Sequence, residues 1–342
     1  MKPERNVGSA HEADSLQGKR ILVTGGGGFI GSHLVDTLVS DNDVRVLDRF
    51  STGTRDHVHE DATLIEGDIR DEIALQRAAR DVDVIFHHAA IVSVEQSIDE
   101  PRASHAVNIE ATHSVLEQAR IEDARVVLAS SAAVYGHPTN VPIAEGDSLR
   151  PTSPYGVQKL ALDQYARVYR ECYDLEAVAL RYFNVYGPRQ QGPYSGVIST
   201  FLEQARSGEP ITIEGDGEQT RDFVHVDDVV TATVRAASID VDAPSLNVGS
   251  GTATSILELA SKISAVTGSD SPIVHKPPRP GDIRHSVAST TRCKRELDFE
   301  ARIDLETGLE RMEYRRRTDG ESEQSPPAGD EYTSAGTGRS DD

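Results

Sequence analysis

The sequence predicts an α/β fold: a doubly wound parallel sheet joined to a smaller, partly interleaved C-terminal region. Three observations predict it. Short apolar runs alternate with helical segments through the first half of the 342-residue chain. Those runs are apolar on both faces, as strands are when helices cover both sides of a parallel sheet. After residue 186 the alternation loosens, Gly and Pro become more frequent, and the strands shorten, as in PITIEG.

Residues 1–18, MKPERNVGSAHEADSLQG, read as a flexible leader with no apolar core of a secretory signal. Strand candidates follow at RILVTG (20–25), VRVLDR (44–49), ATLIEGD (62–68), VDVIFHHAA (82–90), ARVVLASS (124–131) and EAVALRYFNV (176–185). Between them, FIGSHLVDTLVS and ASHAVNIEATHSVLEQA carry helical spacing. A further helix starts at SPYGVQK: Ser153 suits a cap, Pro154 suits the first helical position, and LALDQYARVYRECY continues the period. Two more helices fall near 226–238 and 255–266, the first expected to pack back on the sheet. Residues 19–185 are thus expected to form one domain and 186–317 mainly a second region. Residues 318–342, polar and rich in Gly, Pro and Ser, are expected to be a disordered acidic tail. No apolar run approaches the roughly 20 residues that span a membrane. The two cysteines, Cys172 and Cys293, form no framework, which favours a reducing cytoplasm.

The chain is acidic, with 56 Asp and Glu against 35 Lys and Arg and a net charge of −21. Setting both termini aside still leaves a net charge of about −14, so the folded part is acidic as well. Two readings stand: a protein of a salt-rich, halophilic cytoplasm, where screening relieves self-repulsion, or ordinary acidity for solubility. Either argues against nucleic-acid binding, which wants a basic face.

TGGGGFIG (24–31) follows the first strand and opens a helix. Gly25, Gly28 and Gly31, three apart, permit a tight turn, close approach of backbone to a pyrophosphate, and a helix N-terminus facing the phosphates, as in a Rossmann dinucleotide site. A purely structural turn is the other reading. Asp48 ends the second strand, 20 residues after Gly28, where a carboxylate can accept both ribose hydroxyls of NAD and repel a 2′-phosphate. Adjacent Arg49 works against that preference. Asp68 ends the third strand and either meets the adenine or caps the helix DEIALQRAA. HHAA (87–90) ends the fourth strand, where Ala89 and Ala90 permit close approach to a cofactor. His87 and His88 point to opposite faces, so they cannot chelate a metal together. His225, Asp227 and Asp228 could suggest a metal, but the two acids are read as sitting at a helix N-terminus, where negative charge is favoured. Ser130 and Ser131 end the fifth strand, on the edge where parallel sheets bind ligands. No G-x-S-x-G turn surrounds them, so Ser131 is a hydrogen-bond donor rather than a nucleophile. Tyr155 and Lys159 share a helix face at i and i+4. A neighbouring ammonium is expected to lower the phenol's pKa, making Tyr155 an acid–base catalyst; the alternative is a core aromatic beside a surface lysine.

Together, the glycine turn, the acid after the second strand, the serine after the fifth and YxxxK on the next helix resemble the extended short-chain dehydrogenase/reductase family over about residues 19–315. RYFNVYGPRQ, GDGEQTRDFVHVDD, LNVGSG and RPGDIRHS are similar to the motifs of nucleotide-sugar epimerases of the UDP-glucose/UDP-N-acetylglucosamine 4-epimerase type. The resemblance implies a UDP-sugar substrate and tightly bound NAD. It implies Tyr155 as acid and base at the sugar 4-hydroxyl, with Lys159 lowering its pKa and Ser131 bonding the same hydroxyl. Phe29, Ile30, Ile69, Asn108 and Tyr182 join Gly25, Gly28, Gly31, Asp48, Asp68, Ala89, Ala90, Tyr155 and Lys159 as implied cofactor contacts. Asn184, Arg221 and Arg279 would meet the diphosphate, with Val197 near the uracil; guanidinium suits phosphate oxygens. Related dehydratases and decarboxylases carry carboxylates just after the catalytic Ser/Thr, where this chain has Ala132 and Ala133. A small Ser286 at the sugar pocket would leave room for an N-acetyl group. The family likeness also implies a homodimer formed through helices 101–120 and 154–173.

Overall fold

A computed structural model of the chain describes residues 16–190, 196–279 and 281–322. Seven parallel strands form the main sheet. They are β1 (Arg20–Thr24), β2 (Asp43–Asp48), β3 (Thr63–Glu66), β4 (Val84–His87), β5 (Arg125–Ser131), β6 (Ala177–Tyr182) and a seventh at Ser245–Val248. Their order is 245–248, β6, β5, β4, β1, β2, β3. The chain direction across the sheet therefore reverses between β1 and β4, and a crevice opens there beyond the carboxyl ends of the strands.

Both faces of the sheet are covered, as continuous apolar strands require. On one face, Leu34 and Val35 of helix Phe29–Leu38 share a core with Val229, Val230 and Ala236 of helix Val226–Ser238. On the other, Leu75, Leu116 and Leu162 come from helices Glu72–Ala79, Ala111–Glu122 and Pro154–Tyr173. A separate core around Ile198, Phe201, Ile211 and Leu259 belongs to the second region. Its strands are short: Ile211–Glu214 pairs with Ile273–Lys276, and Thr220–Arg221 lies between Thr254–Ser255 and His285–Ser286.

The structure corrects the expected boundaries in four places. Leu16, expected in a flexible leader, is buried, and its carbonyl accepts a hydrogen bond from Asn42 Nδ2 at 3.1 Å; residues 1–15 of that leader lie outside the described residues. The expected strand 176–185 is two strands, β6 and Asn184–Tyr186, broken at Phe183. Phe183 leaves the sheet to pack with Val134, Tyr135 and Ile143. Ser245–Val248, read only as part of a motif, is an edge strand of the main sheet. The last helix, Leu305–Ser322, runs five residues into the expected disordered tail, and residues 323–342 lie outside the described residues.

Candidate active site

The crevice between β1 and β4 is built around the glycine turn. Gly25 has φ +74°, and a Cβ there would stand 2.7 Å from the Ala89 nitrogen. A Cβ on Gly31 would stand 2.2 Å from the Gly25 carbonyl oxygen, so only glycine lets helix and turn meet. Gly28 precedes helix Phe29–Leu38, and no side chain caps that helix start. Its first N–H groups are left for an external acceptor. Asp48 accepts from the Gly27 N–H at 2.8 Å and the Phe50 N–H at 2.7 Å, so it shapes the turn as well as facing the cleft. Ten residues expected at the cofactor do line the cleft: Gly25, Gly28, Phe29, Ile30, Gly31, Asp48, Asp68, Ile69, Ala89 and Ala90. The cleft also holds residues that sequence reasoning did not assign to it, His88 and the 51–53 segment. Gly53 carried the signal for the latter, since a Cβ there would lie 2.4 Å from the Gly27 carbonyl oxygen. An uncapped helix start, a floor without side chains and a carboxylate at the end of β2 fit a dinucleotide.

Asp68 is not the helix cap. Asp71 is, accepting from the Ile73 and Ala74 N–H groups. Asp68 instead binds Arg70 at 2.7 Å and Arg49 at 2.8 Å. The Arg70 hydrogen bond, the largest influence, helps hold its carboxyl well below the usual range. Arg49 is thereby drawn toward Asp68. Two other expected cofactor residues stand one layer back. Asn108 accepts from the Ile91 N–H and donates to the Ile91 carbonyl, pinning the loop after β4. Tyr182 gives its hydroxyl to Thr233 and stacks its ring on His88, 6.0 Å between centroids. The histidine pair splits between the faces as expected: His87 lies between Thr24 and Thr112, at 2.8 and 2.9 Å.

Ser131, Tyr155 and Lys159 converge at the carboxyl end of β5. Ser131 is the last residue of that strand and caps the short turn Ala132–Tyr135 by accepting from the Ala133 N–H. Ser153 caps the next helix by accepting from the Gly156 N–H at 3.1 Å, and Pro154 opens it. The Tyr155 N–H donates to Ser97 Oγ at 3.1 Å, which fixes the helix start against the segment after β4. The Ser131 side chain lies beside the Tyr155 phenol and favours its ionised form. Lys159 is buried, its Nζ donating to the Ala129 carbonyl at 2.7 Å and lying 5.7 Å from the Tyr155 ring centroid. The expected electrostatics need correction. Burial raises the Tyr155 phenol's pKa, opposed by Ser131. The ammonium sits over the ring rather than at the hydroxyl. Burial pushes Lys159 itself down to about 8, with Asp163 opposing.

In the second region, Arg221 and Ser286 are direct partners in a parallel strand pair. Arg221 donates to the Ile283 carbonyl at 2.6 Å and pairs with Asp282 at 2.5 Å. Asn184 Nδ2 donates to the Asp222 carbonyl, next to Arg221. Asp222, which the sequence did not single out, is fully buried and accepts from the Ser250, Gly251 and Ala288 N–H groups. It ties LNVGSG to the Arg221 strand, so two of the sequence motifs meet there. Arg279 is exposed and pairs with Glu214 at 2.9 Å. Val197, at the start of helix Gly196–Ser207, packs against the second region's core.

Asp227 and Asp228 do lie in the first turn of helix Val226–Ser238, where Asp228 accepts from the Arg302 and Ile303 N–H groups. Among the described residues there is no group of three or more His, Cys, Asp or Glu side chains placed to hold a metal, and no helix is long and apolar enough to cross a membrane.

Comparison with known proteins places this geometry. The model of the NAD-dependent epimerase/dehydratase family matches residues 21–249. A UDP-glucose 4-epimerase of Mycolicibacterium smegmatis is 39% identical over 302 residues, 85% of this chain and 96% of that protein. A UDP-N-acetyl-α-D-glucosaminuronate decarboxylase of Bacillus cytotoxicus is 34% identical over 309 residues, 85% of this chain and 95% of that one. Among solved structures, a UDP-N-acetylglucosamine 4-epimerase of Methanobrevibacter ruminantium, in complex with UDP-N-acetylmuramic acid, superposes with a TM-score of 0.85. It is 37% identical and covers 89% of this chain and all of that one.

Proposed function

The chain belongs to the NAD-dependent epimerase/dehydratase family, and we propose that it is a UDP-sugar 4-epimerase acting on UDP-glucose/UDP-galactose and also on UDP-GlcNAc/UDP-GalNAc. The observation that carries this reading is the convergence of Ser131, Tyr155 and Lys159 at the end of β5, the strand next to β4, with Ala132 and Ala133 next in the chain. In this reading residues 19–185 hold NAD and residues 186–317 mainly hold the UDP-sugar. The glycine turn receives the pyrophosphate and Asp48 the ribose hydroxyls. NAD, when bound, supplies hydride acceptance and return at C4. Tyr155 takes the 4-hydroxyl proton and gives it back on the other face of the sugar, with Ser131 beside it throughout. Lys159 places a positive charge against the phenol as it ionises. Arg221 and Arg279 exchange Asp282 and Glu214 for diphosphate oxygens. Asn184 adds a neutral donor, and Val197 packs on the base.

The decarboxylase relative raises a second possibility, net chemistry at C5 or C6. The alanines at 132 and 133 speak against it, since neither can move a proton there. Exposed Val94, Ile98, Ile121 and Val157, on the helices around residues 94–122 and 154–173, suit burial against a second copy of the chain, and a homodimer in the cytoplasm completes the reading.

The test is direct. Native protein, without added cofactor, is incubated with UDP-galactose and UDP-GalNAc, and a denatured aliquot is assayed for released NAD(H). Retained NAD with formation of the C4 epimers is the expected result. Turnover only with added NAD(P)H would make the protein a reductase, and carbon dioxide release from a UDP-uronate would make it a decarboxylase.

A further inference from the structure

Among the described residues Lys159 Nζ has one hydrogen-bond acceptor, the Ala129 carbonyl, although an ammonium carries three N–H donors. It is buried, and burial disfavours its charged form. Of the titratable groups that face it among the described residues, only one is acidic, and burial raises that carboxyl's pKa while Arg181 opposes the shift. His87 and His88, at the end of β4, are pushed by burial to about 3 and are neutral near pH 7. Tyr155 is kept as a phenol by burial. The remaining group is Asp163, one helical turn on and on the same helix face.

Asp163 is not free to leave. It is buried, and Arg181 Nε, from β6, donates to its Oδ2 at 2.5 Å. Its Oδ1 makes no direct hydrogen bond. Arg181 is held in turn by the Tyr135 hydroxyl at 2.8 Å and the Glu145 carbonyl at 3.2 Å, and the Tyr135 hydroxyl donates to Asn247 at 2.6 Å. This chain of contacts reaches from the Lys159 helix to strand 245–248, and the reading of Tyr155 and Lys159 leaves it without a role.

We propose that Asp163 is a positioning residue for the reaction: its buried carboxylate, clamped by Arg181, is the counter-ion that keeps the Lys159 ammonium charged and in place beside Tyr155. The proposal rests on the role given above to Tyr155 and Lys159. Burial alone would lower Lys159 further than the value of about 8 that it has with Asp163 present. Without the carboxylate, the lysine would lose its proton at a lower pH than it does now.

The chain has six lysines, so Lys159 can be followed directly by NMR of 13Cε-lysine-labelled protein, with Lys159→Arg assigning its signal. Three proteins are titrated: wild type, Asp163→Asn, and the double variant Asp163→Leu/Arg181→Met. The double variant removes both charges, so folding does not suffer an unpaired buried arginine. The expected result is a fall in the Lys159 pKa of about one unit or more in both variants, a tenfold change in protonation. The alkaline limb of the epimerisation pH profile should move down by the same amount. A folded double variant whose Lys159 titrates as in wild type would reduce Asp163 to a partner for Arg181 and overturn the proposal. A shifted lysine in a protein that turns over no UDP-sugar would support the proposal and fail the functional reading instead.

Discussion

Tyr155 starts as a half-buried phenol with Ser131 beside it and Lys159 over its ring. A phenol in that state must lose a proton before it can act as a base. Tyr155→Phe keeps the ring and deletes the hydroxyl. Epimerisation should fall about 10²–10⁴-fold, in line with the loss of a general acid–base group, while NAD released on denaturation stays at the wild-type level. Activity within a few-fold of wild type would remove Tyr155 from the mechanism. Ser286 poses a question of size. It is buried, and it pairs across the strand with Arg221. Ser286→Tyr should lower kcat/KM for UDP-GalNAc about tenfold or more relative to UDP-galactose, in competition assays, if the side chain borders the sugar. An unchanged ratio would place the N-acetyl pocket elsewhere. Lys159 carries a stability signature that is independent of turnover. Its folded pKa of about 8 lies below the ordinary 10.5, so between those values the unfolded chain holds more protons. Stability contributed at this site therefore rises with pH across that window. The difference in melting temperature, wild type minus Lys159→Met, should increase from pH 8 to pH 10.5. A flat difference would mean that Lys159 is not buried as described.

At the scale of elements, what the sequence conveyed depended on how locally each feature is determined. β1 to β5 were legible because each is an apolar run with a turn at its end, and helix 226–238 because acids open it and its apolar face repeats. Ser245–Val248 was not, because four residues next to glycines carry too little periodicity; only pairing with β6 makes them a strand. The same holds at the site. The glycine turn, Asp48, Ser131 and Tyr155 stand at the ends of recognisable elements, so type and position together marked them. Asp163 and Asp222 look like ordinary helix and loop acids in sequence, and only tertiary contact buries them against Arg181 and against three backbone N–H groups. The direction of the Tyr155 shift was misjudged for the same reason: spacing puts an ammonium near the tyrosine but says nothing of how deeply both are buried. Helix Pro154–Tyr173 has a further consequence. It buries one face against the sheet and leaves Val157 more than half exposed, near exposed Val94 and Ile98 on the helix Val94–Asp99. If these faces meet in a dimer, Val157→Glu places two charges in an apolar interface and should convert a dimer to a monomer in light scattering after size exclusion. A wild-type protein that already elutes as a monomer would end the dimer proposal.

At the scale of the whole molecule, charge sets two opposed dependences on salt. The net charge of −21 spreads over the folded part, and 29 of the 35 basic residues are arginines. Many of those arginines are already paired on the surface, as Arg284 is with Asp216 and Glu218. Each exposed pair is worth about 0–1 kcal/mol, and salt weakens it. The unpaired excess of acids repels itself, and salt weakens that too: the Debye length falls from about 10 Å at 0.1 M to about 3 Å at 1 M. Repulsion among many carboxylates reaches farther than contact pairs do, so screening should favour the folded state. The melting temperature should climb as potassium chloride rises from 0.1 to 2 M. A melting temperature that falls would show that the ion pairs dominate and that the acidity serves solubility alone. The same field acts on the substrate. In the proposed reading a UDP-sugar brings a dianion toward a negative molecule, and the two arginines proposed to receive it, Arg221 and Arg279, are paired with Asp282 and Glu214. Salt lowers the repulsion on approach and loosens both internal pairs, while it also screens the final contact of arginine with phosphate. The first two effects precede binding and the third follows it, so kcat/KM should rise with salt at low concentrations before it levels. A steady decline from the lowest salt upward would mean that the local positive potential of the two arginines already outweighs the field of the whole protein.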